Sequence, residues 1–106
     1  MNQIEKLTDL ETKLNNSNKI IKELEKQLNQ LKKIQKDINE LNKYYGSKEW
    51  YKDLEDYEKN KLKNINVGIL SEDAIYDLIN KNKELGIILL EIGTKIIKTN
   101  YNIDLD

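Results

Sequence analysis

The residues in this chain best placed to do chemistry are acids. Glu49, Asp53 and Asp56 follow one another at steps of four and three, and Asp73 and Asp77 at a step of four. On helices these steps put each set on one face, and two such faces brought together would offer an oxygen-only site for Mg²⁺ or Ca²⁺. The preferred reading is plainer: a solvated face, plus carboxylates drawn to the positive ends of helices. These five residues are therefore only weak metal candidates. The chain has no His and no Cys, which removes the commonest general base, the commonest metal ligand and any thiolate nucleophile or disulfide. The Glu-x-x-His pattern of di-iron bundles cannot exist here. No phosphate-binding glycine loop, GxSxG elbow or P-loop occurs. The expectation is a protein that is not an enzyme and carries no cofactor.

Residues 44–79 hold Tyr44, Tyr45, Trp50, Tyr51, Tyr57 and Tyr76, six of the seven aromatic residues. Such rings can stack nucleotide bases, but only beside a basic groove that holds the phosphates. Their charged neighbours are mostly acidic, and every cation in the chain is Lys, without the planar fork of Arg that grips phosphate or guanine. The rings read instead as core, with their hydroxyls at the rim. No nucleic-acid partner is expected.

The elements that position these groups follow from composition and period. With 38% hydrophobic and 35% charged residues in 106, and no Pro, the chain reads as one helical domain with a slim core. Leu7, Leu10, Leu14, Ile21, Leu24, Leu28, Leu31, Ile38 and Tyr45 recur at steps of three and four, with polar gaps at Ser17 and Gln35. This is a heptad seam on a helix over about residues 3–45. Thr8 with Glu11 spells a capping box, and Asn15-Asn16-Ser17-Asn18 is a cluster that favours turns. The heptad phase survives both without an insertion, so a continuous helix about 60 Å long is preferred.

Gly46 is placed to end that helix and Ser47 to cap a short one over about 48–60, anchored by Trp50 with Leu54 and Tyr57 on the same face. Residues 61–70 form a loop whose Ile65, Val67, Ile69 and Leu70 should pack under the domain. Ser71 caps the last helix, about 72–99, with Glu72 and Asp73 in its first turn. That helix is apolar nearly all round its middle and so belongs at the centre of a bundle, where Gly86 and Gly93 would let a neighbouring backbone approach. The tail, 100–106, should fray.

The motifs Tyr44-Tyr45-Gly46-Ser47 with Glu49-Trp50, and Gly68-Ile69-Leu70-Ser71-Glu72-Asp73-Ala74-Ile75-Tyr76-Asp77-Leu78, resemble those of a small bacterial family, domain of unknown function 4298. The resemblance runs over nearly the whole chain, through Lys98. Many members carry Pro after the Leu matching Leu62, where this chain has Lys63. The resemblance implies a stand-alone helical protein and supplies no activity and no site residues.

The combined expectation is an all-α protein: an antiparallel, coiled-coil-like hairpin of two long helices with the short Trp50 helix packed at one end. The first helix would outrun the last, leaving Leu7, Leu10, Leu14, Ile21 and Leu24 as interface candidates for a homodimer partner or another helical protein. An acidic-surface regulator that mimics nucleic acid or fills a basic cleft is the alternative. The chain opens without an apolar core of signal-peptide length and has no apolar run of about 18 residues. A soluble cytoplasmic protein with no membrane partner is expected.

Overall fold

Asn2 starts the first helix. In the computed structural model, which describes residues 2–63 and 67–102, the Glu5 N–H donates to Asn2 Oδ1 over 2.8 Å while Asn2 Nδ2 donates back to Glu5 Oε1 over 3.3 Å. Two polar groups at the frayed end of a helix are thus satisfied reciprocally. The helix, α1, spans Gln3–Tyr44. Thr8 is not a cap but an interior residue, its hydroxyl donating to the Ile4 carbonyl over 2.8 Å. Asn15 to Asn18 are helical as well, as the unbroken heptad phase requires.

The chain divides into two compact units, residues 1–37 and 38–106. The first is a stretch of α1 whose seam residues Leu7, Leu10, Leu14, Ile21 and Leu24 are all exposed, at 48–57%. An Asp9–Lys13 ion pair at 2.8 Å sits on its surface, in a geometry that contributes a few tenths of a kcal/mol, about 0.3–0.5.

The second unit holds the last turns of α1 and every other element. Gly46 takes φ +74°, a left-handed conformation that an L side chain resists. There the chain turns, the Ser47 N–H donates to the Tyr44 carbonyl over 3.0 Å, and the Ser47 hydroxyl accepts from the Trp50 N–H over 3.1 Å, capping α2 (Lys48–Glu58). Asn60 ends α2 in the same left-handed region, φ +60°. Around it the Lys61 N–H reaches the Asp56 carbonyl over 2.9 Å and the Asn60 N–H reaches Tyr57 over 3.0 Å. This is the paired closure in which a left-handed residue satisfies the last carbonyls of a helix. The helix therefore stops two residues before the end expected from sequence.

A single 3-10 turn, Gly68–Leu70, precedes α3, Ala74–Lys98. The Ser71 hydroxyl accepts from the Ala74 N–H over 3.1 Å, but Glu72 and Asp73 lie in a turn outside the helix, and Asp73 is its N-cap. Of the apolar loop, Leu70 is buried, Val67 half-buried and Ile69 exposed; Ile65 lies outside the described residues, as do tail residues 103–106.

The core of this unit is small: among the described residues Ile38, Trp50, Leu70 and Ile75 are its buried apolar residues. The expectation that α3 sits at the centre of a bundle is corrected here. Ile75 alone in α3 is buried; Leu85, Ile88, Ile92 and Ile96 are exposed, and Leu90 is 73% exposed. No atom lies within 4 Å of where a Cβ would sit on Gly86 or Gly93, so neither glycine receives a close neighbour. The physical reason is that apolar residues surround α3 on several faces, while the 3-10 turn and the Trp50 region reach only its first turns. The protein is all-α, with two long helices and a short one and no strand among the described residues. None of its described helices is long and apolar enough to cross a membrane.

Candidate functional site

The side chains with most chemistry meet where α1 ends, α2 begins and α3 begins. The Ser47 cap fixes the first turn of α2 and so the direction of Trp50, which is 4% exposed. Its indole Nε1 donates to the Ile69 carbonyl over 3.0 Å. Tyr45 stands edge-on to the indole with ring centres 5.3 Å apart, and Tyr51 does so at 5.0 Å, geometries in which a ring edge meets a ring face. The Tyr45 hydroxyl donates to the Glu72 carbonyl over 2.8 Å. Sequence reading could not find that bond, since the two residues are 27 apart and nothing local marks the pair.

These rings wall an open cavity of about 450 Å³ lined by Tyr45, Trp50, Tyr51, Tyr76, Glu72 and Asp73, among others. The expectation that the aromatic residues form core holds for Trp50 and fails for Tyr51, Tyr57 and Tyr76, all of which are exposed. Trp50 takes the buried position because α2 presents it to the 3-10 turn. Tyr51, one residue on, is turned by the helical period toward solvent. A second cavity of about 420 Å³, more apolar, lies against Leu41, Ile69, Ile75 and Leu78.

Tyr44 is not among the residues lining either cavity. Its hydroxyl donates to an Asp53 carboxylate oxygen. Loss of solvent, then the hydrogen bond and charge of Asp53 and the charge of Glu49, push the phenol up to about 12. Asp56 is half-buried between Lys52, at 3.5 Å, and Lys61, at 3.8 Å. Asp73 stands at the N-cap position of α3 without a side-chain capping bond, and Asp77 lies in the first turn. Among the described residues no three acids are grouped to hold a metal ion, so Glu49, Asp53, Asp56, Asp73 and Asp77 are not gathered into a centre. Asp53 and Asp56 have local partners instead, which the spacing of carboxylates alone does not reveal.

The interface candidates Leu7, Leu10, Leu14, Ile21 and Leu24 are all on α1 and all exposed. No curated protein and no solved structure matches the chain. The match that does exist covers residues 7–92, and with it the turn at Gly46, the Trp50 helix and most of α3: the chain belongs to the family described as Domain of unknown function (DUF4298).

Proposed function

We propose that this protein is non-catalytic, works in the bacterial cytoplasm, and acts by protein–protein contact along the α1 seam, with a second copy of the chain as its simplest partner. One observation carries the reading: five aliphatic residues at heptad spacing, Leu7, Leu10, Leu14, Ile21 and Leu24, are exposed on one helix. A heptad seam is a pattern that another helix covers by knobs-into-holes packing. Full burial of a Leu or Ile contributes about 1.5–3 kcal/mol, and a symmetric pair hides each seam residue in both copies. The acidic-surface alternative is less favoured, because Asp56 is held between two lysines and Asp53 by Tyr44. Lack of Cys suits a reducing compartment.

Light scattering on a sizing column, run across protein concentrations, tests the reading. The expected result is a dimer that Leu14→Asp or Ile21→Asp converts to a monomer while circular dichroism keeps its helical form. A dimer unaffected by both substitutions, or binding to a partner that weakens steeply with salt, would overturn it.

A further inference from the structure

The geometry points to a second, separate site: the cavity at Tyr45, Trp50, Tyr51 and Tyr76 binds a monovalent organic cation, an alkylated ammonium group. The site is independent of the α1 seam. Three observations converge. The wall is aromatic, with Tyr51 and Tyr76 exposed at 60% and 56% beside the Tyr45 and Trp50 rings. The π face of such rings is negative and attracts a cation that sheds water easily. The charged groups on the lining, Glu72 and Asp73, are both acids, with no lysine among them. Two full negative charges there exceed the roughly half-unit positive charge at the start of α3.

The third observation is that the two acids of the lining are not otherwise engaged. The hydroxyl of Tyr45 and the indole N–H of Trp50 are used on backbone carbonyls, and the exposed ring surface on the lining comes mainly from Tyr51 and Tyr76. The carboxylates of Glu72 and Asp73 have no ion-pair or side-chain hydrogen-bond partner among the described residues. A lining that is aromatic at its wall and carries acids as its only charged groups, with the Tyr51 and Tyr76 hydroxyls as its free side-chain donors, selects against anions. It suits a methylated or alkylated ammonium, which needs charge and contact and few hydrogen bonds. The volume of about 450 Å³ falls within the usual range of small-ligand pockets, roughly 300–1,000 Å³. It has room for the cation with part of its carrier, either a free molecule or the side chain of a methylated lysine.

The full chain, labelled with ¹⁵N, is titrated at fixed ionic strength with choline chloride and with its neutral isostere 3,3-dimethylbutan-1-ol. Amide and indole resonances provide the readout. Expected are saturating shifts confined to residues around Trp50 and Tyr76, at least tenfold tighter for choline than for the isostere. Tyr76→Leu and Glu72→Gln, both at exposed positions, should each weaken choline at least tenfold with the fold unchanged. Equal affinity for the isostere, no saturation with choline, or unchanged affinity in both variants overturns the proposal. N-acetyl-trimethyllysine amide then separates the sources. Tighter binding than choline assigns the site to a partner's side chain, and equal or weaker binding assigns it to a free cation.

Discussion

The indole N–H of Trp50 donates to the carbonyl oxygen of Ile69 over 3.0 Å, tying α2 to the 3-10 turn that leads into α3. The bond lets a nearly buried ring keep its polar N–H satisfied, where an unpaired one would cost about 1–3 kcal/mol. Ring and bond can be told apart. Trp50→Ala loses both and should destabilise by about 3–5 kcal/mol. Trp50→Phe keeps most of the apolar burial and leaves the Ile69 carbonyl unpaired, for a loss of about 1–3 kcal/mol. Urea unfolding followed by circular dichroism measures each; a Trp50→Ala change below about 0.5 kcal/mol would place the ring on the surface.

Gly46 holds its φ of +74° in open space, with nothing within 4 Å of where a Cβ would sit. A substitution there meets backbone strain alone. Gly46→Ala should cost about 1–2 kcal/mol, and Gly46→Asn less, because Asn tolerates the left-handed region. Equal melting temperatures for Gly46→Ala and the parent would show that the turn is made another way.

Tyr44 should titrate at about 12. The raised value means that folding favours the protonated phenol, so this group's contribution to stability is complete below pH 10, the ordinary Tyr value, and is lost as pH rises toward 12. Carbon-13 NMR of the Tyr44 ring would follow it directly. Because loss of solvent is the largest cause and Asp53 the next, Asp53→Asn should bring the phenol only part of the way back. A full return to the ordinary value in that variant would show that Asp53, and not burial, dominates.

Two positions in α3 should respond very differently to the same change. Ile75 is 2% exposed and Leu90 is 73% exposed. Ile75→Ala should therefore cost about 2–5 kcal/mol, while Leu90→Ala should stay within about 0.5 kcal/mol. Similar losses at both positions, measured by urea unfolding at low protein concentration, would mean that the middle of α3 is covered after all.

By itself the sequence determined the helices and the turns between them, because both rest on short-range physics. The unbroken heptad phase carried α1 through Asn15–Asn18, and Gly46 with Ser47 set the turn and the cap at adjacent positions. Asn60 was harder to read: only its left-handed φ reveals it as the terminator of α2, since Asn at that place also suits a last helical turn. The capping signal was read at Thr8 and Glu11, whereas the cap is formed by Asn2 and Glu5. What the tertiary structure alone decided is which apolar residues find cover and which polar ones find partners. Hydrophobicity states that the middle of α3 gains by leaving water, but not that another element reaches it. Tyr51 and Tyr76 came out exposed beside a buried Trp50, and Glu72 received the Tyr45 hydroxyl across 27 residues. Asp53 and Asp56 were taken up by Tyr44 and by lysines rather than joined to Asp73 and Asp77. Such pairings depend on distances in space between residues far apart in the chain, and the local spacing of residue types carries no record of them.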